Sequence, residues 1–180
     1  MNKSLVYTNL IYIAAGTLSS IVIGLVVFGA EIFKYRSPFF QIPLYGLTGS
    51  LGFILFKQRR YRDAIFVFLI ILILDLTIFG FKFTVTRSLY FLNIIAGTYI
   101  YVRYFYSQSV NIKYARPILL AGIYAILTIP VALMLFLIYE TGNAGVFPFR
   151  NIPIAFMIGL GMGIGFEISE AALVKRIQPD

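Results

Sequence analysis

Asp75 is the only acid in the apolar run Ala64 to Phe81, and that setting makes its chemistry conspicuous. An ionised carboxylate in a lipid-like environment is costly, so such a group faces protein, pairs with something, or marks a ligand or proton pathway. Three amides join it: Gln41, Asn93 and Asn151 each fall near the outer end of an apolar segment. A turn near Thr84 leaves Asp75 and Asn93 each nine residues away, about 13 Å along either helix. The chemistry predicted is binding. Asp75 forms the floor of an outward-facing polar pocket, Asn93, Gln41 and Asn151 its walls, and Arg87 and Arg150 a basic mouth. The competing use of the same residues is interhelical hydrogen bonding worth about 1 kcal/mol, with Asp75 protonated against a carbonyl.

Other chemistries lack their residues. The chain has no Cys and no His, which excludes disulfides, Cys- or His-held zinc, haem on such ligands, and any triad with an imidazole base. No metal site or cofactor is expected. Besides Asp75, the buried ionisable groups expected are Glu167 and Glu170, near the opposite side, so a carboxylate pair is disfavoured and the chain reads as non-enzymatic. The glycine run at 159–165, GLGMGIG, follows no strand and lacks the lysine of a phosphate loop. Read as extended chain it would line a pore; a packed helix is the preferred reading.

The elements that must hold these residues are helices in lipid. Sixty per cent of the 180 residues are apolar and 12% charged, outside the range of soluble domains. Six segments approach the roughly 20 apolar residues needed to cross about 30 Å of hydrocarbon. They are Leu5 to Ala30, Pro38 to Phe56, Ala64 to Phe81, Ser88 to Tyr106, Pro117 to Tyr139 and Asn151 to Ala172. The first reads as an uncleaved span, because its apolar run continues past Ala14, Ala15 and Gly16 without a polar cleavage region. The fold class is therefore all-α, a polytopic integral membrane protein whose residues 1–180 form a single six-helix transmembrane domain.

With the N-terminus inside, the cytoplasmic side holds Lys3, Lys57, Arg59, Arg60, Arg62, Arg103, Lys113, Arg116, Lys175 and Arg176, ten of the fifteen cations. The positive-inside rule then places both termini in the cytoplasm, in what the composition suggests is the plasma membrane. Spread over short connections, these cations serve topology and weak attraction to anionic lipid heads, and no nucleic-acid partner is expected. Tyr7, Tyr35, Tyr61, Tyr104, Tyr106 and Tyr139 supply the interfacial belts.

Small residues indicate close packing. Gly16, Ser20 and Gly24 repeat at intervals of four, as do Ala155, Gly159 and Gly163, with Gly161 and Gly165 on another face of the last segment. These two helices are expected to be central. Glu167 continues the Gly159 and Gly163 stripe, so Glu167 and Glu170 are candidates for a coupling or partner contact, with a solvated or snorkelling helix end as the alternative. Pro130 is expected to kink the fifth span beside a long outer loop. Helical-hairpin repeats are suggested by PFFQIP at 38–43 and PFRNIP at 148–153, with a weaker echo, YFLNII, at 90–95.

The functional reading is a small-solute transport or membrane solute-binding subunit. In outline, six spans with cytoplasmic termini are similar to the substrate-binding components of energy-coupling-factor vitamin transporters; the likeness covers topology and length, and no residue is carried over from it. The alternative is a non-catalytic accessory or scaffold subunit of a larger membrane assembly, and a homo-oligomeric channel is a third.

Overall fold

The structure is a computed structural model that describes residues 3–33, 41–79, 81–106, 115–138 and 146–177. Within these helices, the side chains at 3–4, 41, 75–76, 78–79, 81–87, 138, 146–148 and 174–177 fall outside the description. Every described element is helical. The helices are α1 (Lys3–Phe28, extended by a 3-10 turn at Gly29–Phe33), α2 (Gln41–Lys57), α3 (Tyr61–Phe79), α4 (Phe81–Ile100, continuing into a π-turn at Tyr101–Phe105), α5 (Ala115–Ile138) and α6 (Val146–Ile177).

Glycines decide how closely these helices approach. α6 lies between α1 and α5. A Cβ on Gly159 would meet the backbone of Ala121 at 2.7 Å, and one on Gly163 would strike Pro117, so this stripe faces α5. A Cβ on Gly161 would stand 2.5 Å from Ser20 Cα, and one on Gly165 would strike the backbone of Ala15, so the alternate stripe faces α1. Neither face of α6 has room for a methyl group. On α1, Gly16 abuts Ser50 and Phe166, while Gly24 meets Ile42 at 3.0 Å. α2 packs on α1 and α4, and α3 sits at the periphery against α2 and α4.

The distribution of polarity is inverted relative to a protein in water. Ser20, Thr48, Ser50, Thr98, Thr128 and Ser169 are buried, and each hydroxyl donates to the carbonyl four residues earlier on its own helix. That local bond lets a hydroxyl enter an apolar interior without an unsatisfied donor. Outside, α3 exposes Ile65, Phe66, Leu69, Ile70, Ile73 and Leu74, and α5 exposes Ile118, Ile126, Ile129 and Leu133. Among the described residues, three helices are long and apolar enough to cross a membrane: Leu5–Phe33, Ala115–Leu137 and Phe149–Leu173. An integral membrane protein fits that composition.

Two helix boundaries differ from the sequence reading. α3 ends at Phe79 and α4 begins at Phe81, so Thr84 lies inside α4 and marks no turn. Residue 80, between the two helices, lies outside the described residues. α6 starts at Val146, upstream of the expected Asn151, and carries Pro153 inside the helix. Of the hexapeptide at 38–43, residues 38–40 lie outside the described residues. α5 runs as one helix through Pro130.

Candidate functional site

Among the described residues, charged groups from several helices converge where α2 turns into α3. Arg116, at the start of α5, is only 5% exposed. Its guanidinium donates to Glu170 Oε2 at 2.6 Å and to Glu167 Oε1 at 3.2 Å, both on α6. The other oxygen of Glu170 accepts from the Tyr106 hydroxyl at 2.5 Å. Tyr106 in turn accepts from Lys57 Nζ at 2.7 Å, and Lys57 also reaches Tyr12 Oη at 3.3 Å. The chain of contacts links α1, α2, α4, α5 and α6 through groups that no short sequence motif brings together.

Aromatic faces complete the cluster. Lys57 Nζ lies 4.5 Å from the ring centre of Tyr12, 4.8 Å from Tyr106 and 5.5 Å from Phe53, within range of cation–π attraction. Phe53 stacks on Phe166 at 4.0 Å and joins the cluster to the bundle core. Enclosure of the Lys57 ammonium by these rings lowers its pKa from the ordinary lysine value, and the nearby charge of Glu170 works in the opposite direction. Two cations and two carboxylates compensate one another here: Lys57 and Arg116 against Glu167 and Glu170. Both acids proposed as partner contacts are thus engaged within the chain.

Beside this cluster opens a pocket of about 260 Å³, lined by Phe56, Lys57, Arg59, Tyr61, Tyr99, Val102, Arg103 and Tyr106. Its backbone has two irregular features. The end of α2 is closed by a 6→1 bond from Arg60 N–H to Leu55 C=O (2.8 Å) and an inner bond from Arg59 N–H to Phe56 C=O (3.0 Å). This is the Schellman arrangement, which usually places Gly at the left-handed position. Here that position is Arg59, at φ 58°. On the facing helix, Tyr106 N–H bonds to Tyr101 C=O at 2.8 Å, forming a π-turn. Such turns occur often at functional sites.

The amides of the sequence reading fall in the other half of the bundle. Asn151 and Tyr90 are hydrogen-bonded and line a cavity of about 10 Å³ with Tyr45, Ile94, Thr128, Ile154, Ala155 and Ile158. That volume is at the threshold for a single water. Asn93 Nδ2 is buried with no hydrogen-bond partner among the described residues. The side chains of Asp75, Gln41 and Arg87 fall outside the described residues, and Arg150 is exposed. From Tyr45 to Lys57 is twelve residues, about 18 Å along α2, so the amide region and the charged cluster are separate sites. Among the described residues, no group of three or more acids could hold a metal ion.

No protein-family model matches the chain, and no curated protein or solved structure matches it either.

Proposed function

We propose that the chain is a six-span protein of the plasma membrane, with both termini in the cytoplasm, and that it binds a small solute as a transport or solute-binding subunit without catalysing a reaction. α2, α3 and α4 have 17, 19 and 20 residues, about 26–30 Å of helix, close to the thickness of the hydrocarbon core. The apolar exposed face of α3 supports its contact with lipid.

The observation that carries the binding reading is the orphaned amide of Asn93. A buried donor without a partner costs about 1–3 kcal/mol, so a site that retains one calls for an explanation. A solute oxygen accepting from Nδ2 supplies it. Close packing along α6 also weighs against a scaffold role, because the stripes that could receive a partner helix are filled by α1 and α5. One observation favours the accessory-subunit reading: Gly122 has open space beside it, between the exposed Ile118 and Ile126 on α5.

Native mass spectrometry of protein extracted gently from its own membrane tests the reading. The expected result is a bound small molecule that is lost in Asn93→Leu, while the melting temperature of the variant holds or rises because the orphaned donor is gone. A wild-type protein that carries no solute, or a variant that carries the same one, overturns the proposal. Topology is tested separately on this Cys-free chain. An impermeant maleimide added to intact cells should label Ser37→Cys and Asn143→Cys and leave Ser109→Cys and Gln178→Cys unlabelled. The reverse pattern would invert the orientation.

A further inference from the structure

The cations at the α2–α3 end divide into two groups. Arg60 pairs with Asp63, and Arg116 pairs with Glu167 and Glu170. Arg59 and Arg103 line the same pocket beside Lys57, and neither has an ion-pair partner among the described residues. No acid is among the residues that line the pocket. The two guanidiniums of Arg59 and Arg103 line one space and form a positive site with no acid in its lining.

Its walls are preorganised. Phe56, Tyr61 and Tyr99 pack in a mutual triangle, with ring centres 5.5 Å apart for Phe56–Tyr99 and 6.2 Å apart for the other two pairs. Tyr106 is pinned between Lys57 and Glu170. The Schellman turn holds Arg59 where a glycine would relieve the backbone, and the π-turn lies beneath Arg103. A site of 260 Å³ suits a small group and is too confined for a nucleic-acid strand.

We infer that this pocket binds the phosphate group of an anionic ligand, gripped by Arg59 and Arg103. The guanidinium fork matches the paired oxygens of a phosphate. Below Tyr61, the exposed residues Ile65, Phe66, Leu69 and Ile70 make a continuous apolar track on α3. A ligand with its phosphate in the pocket and acyl chains along that track is a phospholipid of the adjoining leaflet; a soluble phosphate ester offers the same headgroup without the chains. Basic pockets between membrane helices select anionic headgroups by this combination. The site is independent of the solute proposed at Asn93.

The test uses the full chain in nanodiscs of mixed phosphatidylglycerol and phosphatidylcholine, with retained lipid read by native mass spectrometry. Wild-type protein should retain phosphatidylglycerol preferentially, and Arg103→Gln and Arg59→Gly should each weaken that retention about tenfold, the effect of one lost charge-assisted contact. Arg62→Gln, which removes a nearby cation outside the pocket lining, should leave it unchanged. A melting temperature no lower than wild type in Arg59→Gly establishes that the loss is not unfolding. If sn-glycerol 3-phosphate in detergent stabilises wild type but neither pocket variant, and phosphatidylglycerol is not retained, the source is a soluble phosphate ester and the site stands. Absence of both lipid preference and stabilisation by sn-glycerol 3-phosphate or inorganic phosphate overturns the inference. So does an Arg62→Gln loss as large as that at Arg103, since the attraction would then be diffuse surface charge.

Discussion

Replacing Arg59 by glycine should make the protein more stable, although it removes a long side chain and adds the most flexible residue. An L-residue in the left-handed region costs about 1–2 kcal/mol because its Cβ crowds the following carbonyl, and Arg59 sits there at φ 58°. Glycine avoids that cost but gains about 0.5–1 kcal/mol of unfolded-state entropy. The balance is a net stabilisation of about 0.5–1 kcal/mol, or about 1–4 °C for a chain of this size. Both bonds that define the turn are made by backbone atoms, so they survive the change. Arg62→Gly is the matched control. It removes the same charge from an exposed position in the first turn of α3, where glycine should cost up to about 1 kcal/mol. Thermal unfolding in detergent free of added anionic lipid, at one scan rate, compares the two. Anionic lipid must be left out because a ligand bound to the native state would mask the gain. If Arg59→Gly melts at or below Arg62→Gly, the strain argument fails, and with it the reason for regarding Arg59 as retained for its side chain.

Four further outcomes follow from the packing. Arg116→Gln should destabilise by about 2–3 kcal/mol, less than the 3–5 typical of a fully buried pair, because Glu167 and Glu170 remain 24% and 27% exposed. Adding Glu170→Gln should cost less than the sum of the single changes, and strict additivity in a double-mutant cycle would contradict the observed contact. Gly161→Ala drives a methyl group against the Ser20 backbone and should cost at least about 1–3 kcal/mol. Gly122→Ala meets nothing within 4 Å and should gain up to about 1 kcal/mol of helix propensity; equal melting temperatures for these two variants would refute the packing described for α1 and α6.

Much of the bundle was legible because helical periodicity is a local property. Apolar runs of span length mark the helices, and a spacing of four among Gly159, Gly161, Gly163 and Gly165 separates two faces whatever they meet. The charged cluster was not legible in the same way. Tyr12, Lys57, Tyr106, Arg116 and Glu170 come from five helices, so their proximity is a product of tertiary packing alone. In the sequence alone, Lys57 and Arg59 stand as topology signals and Tyr106 as part of an interfacial belt. Those roles are compatible with the ones seen, but they carry no information about which cations acquire partners. Arg59 departs from the residue its turn favours, and that departure becomes meaningful only once the backbone φ is known. α4 starts at Phe81, before the expected Ser88, because the basic and hydroxyl-rich residues around Thr84 are as compatible with a helix as with a turn.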